Sequence, residues 1–130
     1  MNNKYKEEND RFLQENLENK GIQQLPCGVQ YKIITKGNGT IPTAKSTVEV
    51  HYKGSLVNGM VFDNSFSRRY PEVFKVTEVI KGWQEALKVM PAGSRWKIFI
   101  PYNLGYGTKG CGKIKPYSTL IFEVDLLSVK

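Results

Sequence analysis

Two hydrophobic periods divide the chain. Residues 3–20 contain no glycine or proline and read as one charged helix, with Gly21 placed to close it. Its apolar positions are only Tyr5, Phe12, Leu13 and Leu17. So thin a stripe predicts a helix that docks on the rest of the chain, pairs with a second copy, or frays. From Leu25 the period falls to two. Val29, Tyr31 and Ile33 alternate with polar neighbours, as do Val48, Val50 and Tyr52, then Trp96, Ile98 and Ile100, then Leu120, Phe122, Val124 and Leu126. Asn58-Gly59 is a two-residue hairpin signal linking the strand through Tyr52 to one through Phe62. A second helix is expected over residues 79–90, with Ile80, Trp83, Leu87 and Met90 on one face and Pro91-Ala92-Gly93 ending it.

This pattern predicts an α+β fold: a curved antiparallel β-sheet wrapped on one short amphipathic helix, with an N-terminal helical extension. The division falls at residues 1–24 for the extension and 25–130 for the domain. At 130 residues with 40% hydrophobic content, the chain is long enough for one domain with its own core. No apolar run is long enough to cross a membrane. The first residues hold no apolar h-region, so no signal peptide is expected. The location read from this is cytoplasmic, or periplasmic if the chain is a processed form.

The net charge of +7 is unevenly spread: residues 1–21 carry four basic and five acidic side chains, residues 22–130 fifteen and seven. Only Lys109, Lys113 and Lys115 cluster, in one loop, so a basic surface rather than a nucleic-acid face is expected. Cys27 and Cys111 are too few and too far apart in sequence for a disulfide scaffold or a zinc site; two free thiols are the default, with one bridge open if the fold brings them together.

The chemistry-bearing residues are Val79-Ile80-Lys81-Gly82-Trp83, Tyr52, Phe62-Asp63, Tyr106 and Phe122. They describe an apolar bowl with one carboxylate and one phenol at its rim, lacking a nucleophile, a metal cluster or a phosphate loop. Such a site can take an apolar ring out of water and ease rotation of the bond beside it; proline and its preceding peptide bond fit. Taken singly, each aromatic is ordinary core, Asp63 a strand-end carboxylate and Arg68 a solvated loop residue. His51 is the lone histidine, and strand alternation turns it away from the face that carries Tyr52.

Taken in order, Val50-His51-Tyr52-Lys53-Gly54, Asn58-Gly59, Phe62-Asp63-Asn64-Ser65 and Val79-Ile80-Lys81-Gly82-Trp83 resemble the FKBP-type peptidyl-prolyl isomerases. So do Ile100-Pro101 with Leu104-Gly105-Tyr106-Gly107, and Ser118-Thr119-Leu120-Ile121-Phe122-Glu123-Val124. Phe12-Leu13, Glu15-Asn16 and Gly28-Val29-Gln30-Tyr31-Lys32 are similar to the bacterial infectivity-potentiator branch, in which a helix precedes the isomerase domain.

The resemblance implies a peptidyl-prolyl cis-trans isomerase, or rotamase, that assists protein folding. Asp63, Tyr106 and Phe62 would be its catalytic residues. Trp83 would floor the proline pocket, with Tyr52, Val79, Ile80 and Phe122 as walls, Arg68 holding Asp63 and Ile114 reaching over from the loop between Gly107 and Pro116. It implies no cofactor and no metal. The implied partners are Xaa-Pro polypeptides and macrolides of the rapamycin class, with no dedicated nucleic acid and no membrane span. The chain would be a monomer, or a weak dimer through the N-terminal helix. An alternative keeps the pocket without the turnover: a proline-binding module or holdase chaperone, which an isomerase assay separates. One departure matters: where several members of the family carry an aromatic after Pro71, this chain has Glu72. That predicts a more open pocket with weaker macrolide contacts.

Overall fold

The computed structural model describes residues 3–130. Helix α1 spans Lys4–Asn16 and is followed by strands β1 (Ile22–Gln24), β2 (Gln30–Thr35), β3 (Thr47–Leu56), β4 (Val61–Asn64) and β5 (Glu72–Lys75). Helix α2 (Lys81–Leu87), β6 (Arg95–Ile100) and β7 (Leu120–Val129) complete the chain. The seven strands form one antiparallel sheet in the order β1-β2-β6-β7-β3-β4. β5 also pairs with β3, from Thr47↔Lys75 to Val50↔Glu72, while β4 takes the later half of the same strand, from Lys53 to Ser55. This is the α+β fold that the alternation predicts.

β3 carries the clearest register, every second residue from Val48 to Leu56 being buried. Val48, Val50 and Tyr52 join Trp96, Ile98, Ile100, Leu120, Phe122, Val124 and Leu126 in one core, closed by Trp83, Leu87 and Met90. Burial of these side chains is the main stabilising term.

Four sequence expectations shift. α1 stops at Asn16 rather than residue 20, because the chain turns through residues 17–20 before Gly21 adopts φ +84°. The second helix is shorter than 79–90: Val76–Glu78 form a 3₁₀ turn, Ile80 is the N-cap and Lys88 the C-cap. The link from β3 to β4 covers residues 57–60, not two residues; Gly59 takes φ +90° and donates to the Leu56 carbonyl. In β2 the inward alternation fails after Tyr31, leaving Ile33 and Ile34 exposed. Only the short β1 flanks that side of the strand, and it pairs no further than Lys32.

α1 docks on the sheet through polar groups. Its inner stripe is Tyr5, Asn9, Phe12, Leu13 and Asn16, and the two asparagines are buried. Asn16 Nδ2 donates to Gln30 Oε1 at 2.8 Å, and Gln30 Nε2 donates to the Leu13 carbonyl at 2.9 Å. Phe12 meets Phe99 with ring centroids 6.1 Å apart. The stripe looks thin in sequence because asparagine stands at two of its positions.

Candidate active site

The site begins with a glycine. Gly82, in the first turn of α2, lies so close to β6 that a Cβ there would meet Ile100 Cγ2 at 2.5 Å. That approach lowers the next residue, Trp83, into the bowl of the sheet, where it is 4% exposed. Three rings meet the indole at near right angles: Tyr52 at 5.2 Å between centroids, Phe122 at 5.3 Å and Phe74 at 6.1 Å. Edge-to-face pairs at such distances are favoured by the ring quadrupoles and fix each ring's orientation. Phe62 stands at 89° to Phe122, centroids 5.6 Å apart. Gly54 leaves room for that pair, since a Cβ there would lie 2.7 Å from both rings.

Above the indole opens a cavity of about 370 Å³. Eight residues named from the sequence line it: Tyr52, Phe62, Asp63, Val79, Ile80, Trp83, Tyr106 and Phe122. Arg68 does not line it but stands behind Asp63. Ile114 is 7% exposed and packs into the core rather than lining the cavity. Phe74 and Glu78 line it too, and the sequence reading missed both. Phe74 had no periodic signal, since Glu72-Val73-Phe74-Lys75 reads polar, apolar, apolar, polar and its burial emerges only in the fold. Nor had Glu78: it lies in the 3₁₀ turn Val76–Glu78, where its carboxylate accepts the Lys75 N–H at 2.9 Å.

The polar rim is one connected cluster. The Tyr52 hydroxyl donates to Asp63 Oδ2, and Arg68 Nη1 donates to Oδ1 at 3.0 Å. Arg68 Nε also reaches Glu72 Oε1 at 3.1 Å. Burial acts to raise the Asp63 pKa, but the Tyr52 and Arg68 bonds outweigh it and hold the carboxyl below its ordinary range. Burial, then the Asp63 contact, pushes the Tyr52 phenol up to about 12. Burial also raises Tyr106, with smaller contributions from Cys111 and Asp63. Tyr106 is 38% exposed, and its hydroxyl has no hydrogen-bond partner among the described residues. The Ile80 carbonyl accepts the Gln84 N–H, whereas the Ile80 N–H finds no acceptor among the described residues.

His51 lies outside the cavity. Its Nδ1 is 2.9 Å from Ser65 Oγ, and its ring stacks on Phe66. Ser65 Oγ also accepts the Tyr52 N–H at 2.6 Å, so this pair steadies β3 from behind. Cys27 and Cys111 are free and exposed. Among the described residues there is no cluster of three His, Cys, Asp or Glu side chains able to hold a metal, and no helix long and apolar enough to cross a membrane. The arrangement can desolvate an apolar ring and offer donors beside it.

Comparison with known proteins bears on the same residues. Residues 38–127 match the family model described as FKBP-type peptidyl-prolyl cis-trans isomerase, and residues 1–33 match the domain amino terminal to it. The chain is 46% identical over 120 residues to the FKBP-type 22 kDa peptidyl-prolyl cis-trans isomerase of Escherichia coli, covering 92% of this chain and 58% of that protein. It is 48% identical over 133 residues to the outer membrane protein MIP of Legionella longbeachae, covering 98% and 57%. Among solved structures, Escherichia coli FkpA superposes with a TM-score of 0.92 at 39% identity, covering 95% of this chain and 58% of that one. The peptidyl-prolyl cis-trans isomerase of Pseudomonas syringae superposes with a TM-score of 0.90 at 35% identity, covering 95% and 92%. The chain thus spans little more than half the length of the first curated relatives it matches.

Proposed function

The chain belongs to the FKBP-type peptidyl-prolyl cis-trans isomerases, and on that premise we propose that it accelerates rotation about Xaa-Pro bonds in flexible or unfolded polypeptides. The observation that carries the reading is the Trp83 floor, walled at right angles by Tyr52, Phe74 and Phe122 beneath a cavity of about 370 Å³.

The peptide bond resists rotation by ~18–20 kcal/mol because resonance gives C–N double-bond character. The two Xaa-Pro isomers differ by only about 0.5–1 kcal/mol, so speed is the whole problem. Planar resonance places negative charge on oxygen and positive charge on nitrogen, a separation that water favours. Over Trp83 the prolyl ring leaves water, and the less polar twisted state gains relative to the planar one. The unpartnered Tyr106 hydroxyl donates to the substrate carbonyl, and the Ile80 N–H supplies a second anchor. Phe62, Val79 and Phe122 hold the ring, and Ile114 supports the loop from the core side. Asp63 stays ionised between Tyr52 and Arg68 and contributes through its field and through holding Tyr52; no proton needs to move.

In this reading residues 25–130 carry the activity and residues 1–24 attach to it. The inner face of α1 is occupied by its own sheet, which supports a monomer over the described residues. The macrolide reading extends to the same cavity, with Glu72 lowering affinity. We place the protein outside the cytoplasm, on the support of the relative named as an outer membrane protein; fractionating the cells that make it would test this. The activity is tested by the isomerisation rate of a Leu-Pro peptide with wild type, Asp63→Leu and Trp83→Ala. A rate raised by wild type and reduced in both folded variants is expected. A folded wild type that leaves the rate unchanged would overturn the reading.

A further inference from the structure

The loop that carries Tyr106 is held from outside the cavity by the N-terminal helix, and we propose that Asn9 is a positioning residue for that loop, with α1 its brace. The role assigned to the loop rests on the isomerase reading; the brace itself does not.

Asn9 is 1% exposed and uses both ends of its amide. Its Oδ1 accepts the Thr119 N–H at 2.8 Å, and its Nδ2 donates to the Tyr5 carbonyl at 2.8 Å. One turn earlier, the Tyr5 hydroxyl lies 2.8 Å from Ser118 Oγ. Ser118 spends its single proton on the Lys115 carbonyl at 2.7 Å, so Tyr5 must be the donor in that bond. The Lys115 ammonium sits 5.3 Å from the Tyr5 ring centroid. Two successive residues of α1's inner stripe thus fix Ser118 and Thr119, where the loop enters β7.

The residue just before them is the strained one. Tyr117 has φ +66°, the one positive φ outside glycine among the described residues. A tyrosine keeps that conformation only where its neighbours over-determine it. Here the neighbours are Ser118 and Thr119, pinned by α1, and Tyr102, whose ring meets Tyr117 at 4.9 Å. The Tyr117 N–H then donates to the Gly107 carbonyl at 3.0 Å, and the Gly107 N–H to the Tyr102 carbonyl at 2.8 Å. Gly107 directly follows Tyr106. The path from Asn9 to the phenol at the cavity is continuous and made of directional bonds. A helix needed only as cover would bury apolar side chains; a buried amide with two specified backbone partners fixes a geometry.

The full chain tests this with wild type, Asn9→Ala, Tyr106→Phe and the double variant, all checked for folding by circular dichroism. Asn9→Ala should lower kcat/KM by on the order of tenfold, the scale of a small misplacement of a catalytic group. In the Tyr106→Phe background the same change should cost less than about twofold, since the residue it positions has already lost its hydroxyl. Additive losses would overturn the proposal. Should Asn9→Ala fail to fold, Tyr5→Phe removes a single hydroxyl and must show the same non-additivity. Amide exchange gives a readout independent of turnover: protection of the Tyr117 N–H should fall in Asn9→Ala. If wild type accelerates nothing, the isomerase reading fails while exchange still decides the brace, and unchanged Tyr117 exchange would overturn it.

Discussion

The Tyr52 hydroxyl donates to one oxygen of Asp63 while the ring of the same tyrosine walls the cavity above Trp83. One side chain therefore couples the apolar wall to the charged rim. Phenylalanine in its place keeps the wall and removes the donor. Tyr52→Phe should lose about 1.5–3 kcal/mol of stability, the usual worth of a hydrogen bond to a charged group. It should also slow isomerisation several-fold, because Asp63 then loses one of its two side-chain hydrogen-bond partners. Urea unfolding and peptide isomerisation, measured together, check both; a variant with wild-type activity would show that the rim carboxylate needs no fixing from this side.

The pH response follows from the same cluster. The folded-state Asp63 lies below its ordinary 3.8, so its contribution is present above that value and is lost as pH falls through the folded one. Tyr52 rises from 10.0 to about 12, so its contribution is present below 10.0 and is lost as pH climbs toward 12. Activity and urea midpoint should therefore stay flat from about pH 5 to 9 as far as these groups act. A step in kcat/KM near neutrality would show that a group outside this cluster governs turnover.

Close approach at Gly82 makes a prediction about stability. A methyl group there meets Ile100 at 2.5 Å, and both residues sit in packed elements. Gly82→Ala should cost about 1–3 kcal/mol through overpacking despite alanine's better helix propensity. By lifting α2 it should also lower affinity for a prolyl peptide. Thermal unfolding and a binding titration would register the two effects; a more stable variant would show that α2 can shift freely on β6.

The apolar half of this architecture is legible in sequence because it is periodic. Val48, Val50 and Tyr52, like Leu120, Phe122, Val124 and Leu126, are read correctly since burial on one face of a strand repeats every two residues. What escapes is non-periodic or polar. Asn9 and Asn16 look like solvent positions on a charged helix, and only the tertiary partners Thr119 and Gln30 make them core. Arg68 pairing with Asp63 follows from family likeness, but its second bond to Glu72 does not, because that bond depends on β5 lying beside β3. Ile114 is apolar in a loop rich in lysine and glycine, a pattern that does not say whether it faces the cavity or the core.

Glu72 offers the sharpest test of how the cavity's edge governs its ligands. Its carboxylate turns to Arg68 Nε at 3.1 Å and does not line the cavity. An aromatic at this position would extend the apolar wall. Each 40 Å² of extra apolar contact is worth about 1 kcal/mol at roughly 25 cal/mol per Å², and a new ring at the rim adds area of about that order. Glu72→Phe should therefore tighten binding of a rapamycin-class macrolide by on the order of fivefold to tenfold. The change also frees Arg68 from one of its two carboxylates. Asp63 keeps the other bond, so turnover of a small Leu-Pro peptide should change by less than about twofold. Competition titration with the macrolide, run beside the peptide assay, separates the two effects. Equal macrolide affinity in wild type and variant would mean that the ligand never reaches position 72, and that Phe74 and Phe62 already complete the wall on that side.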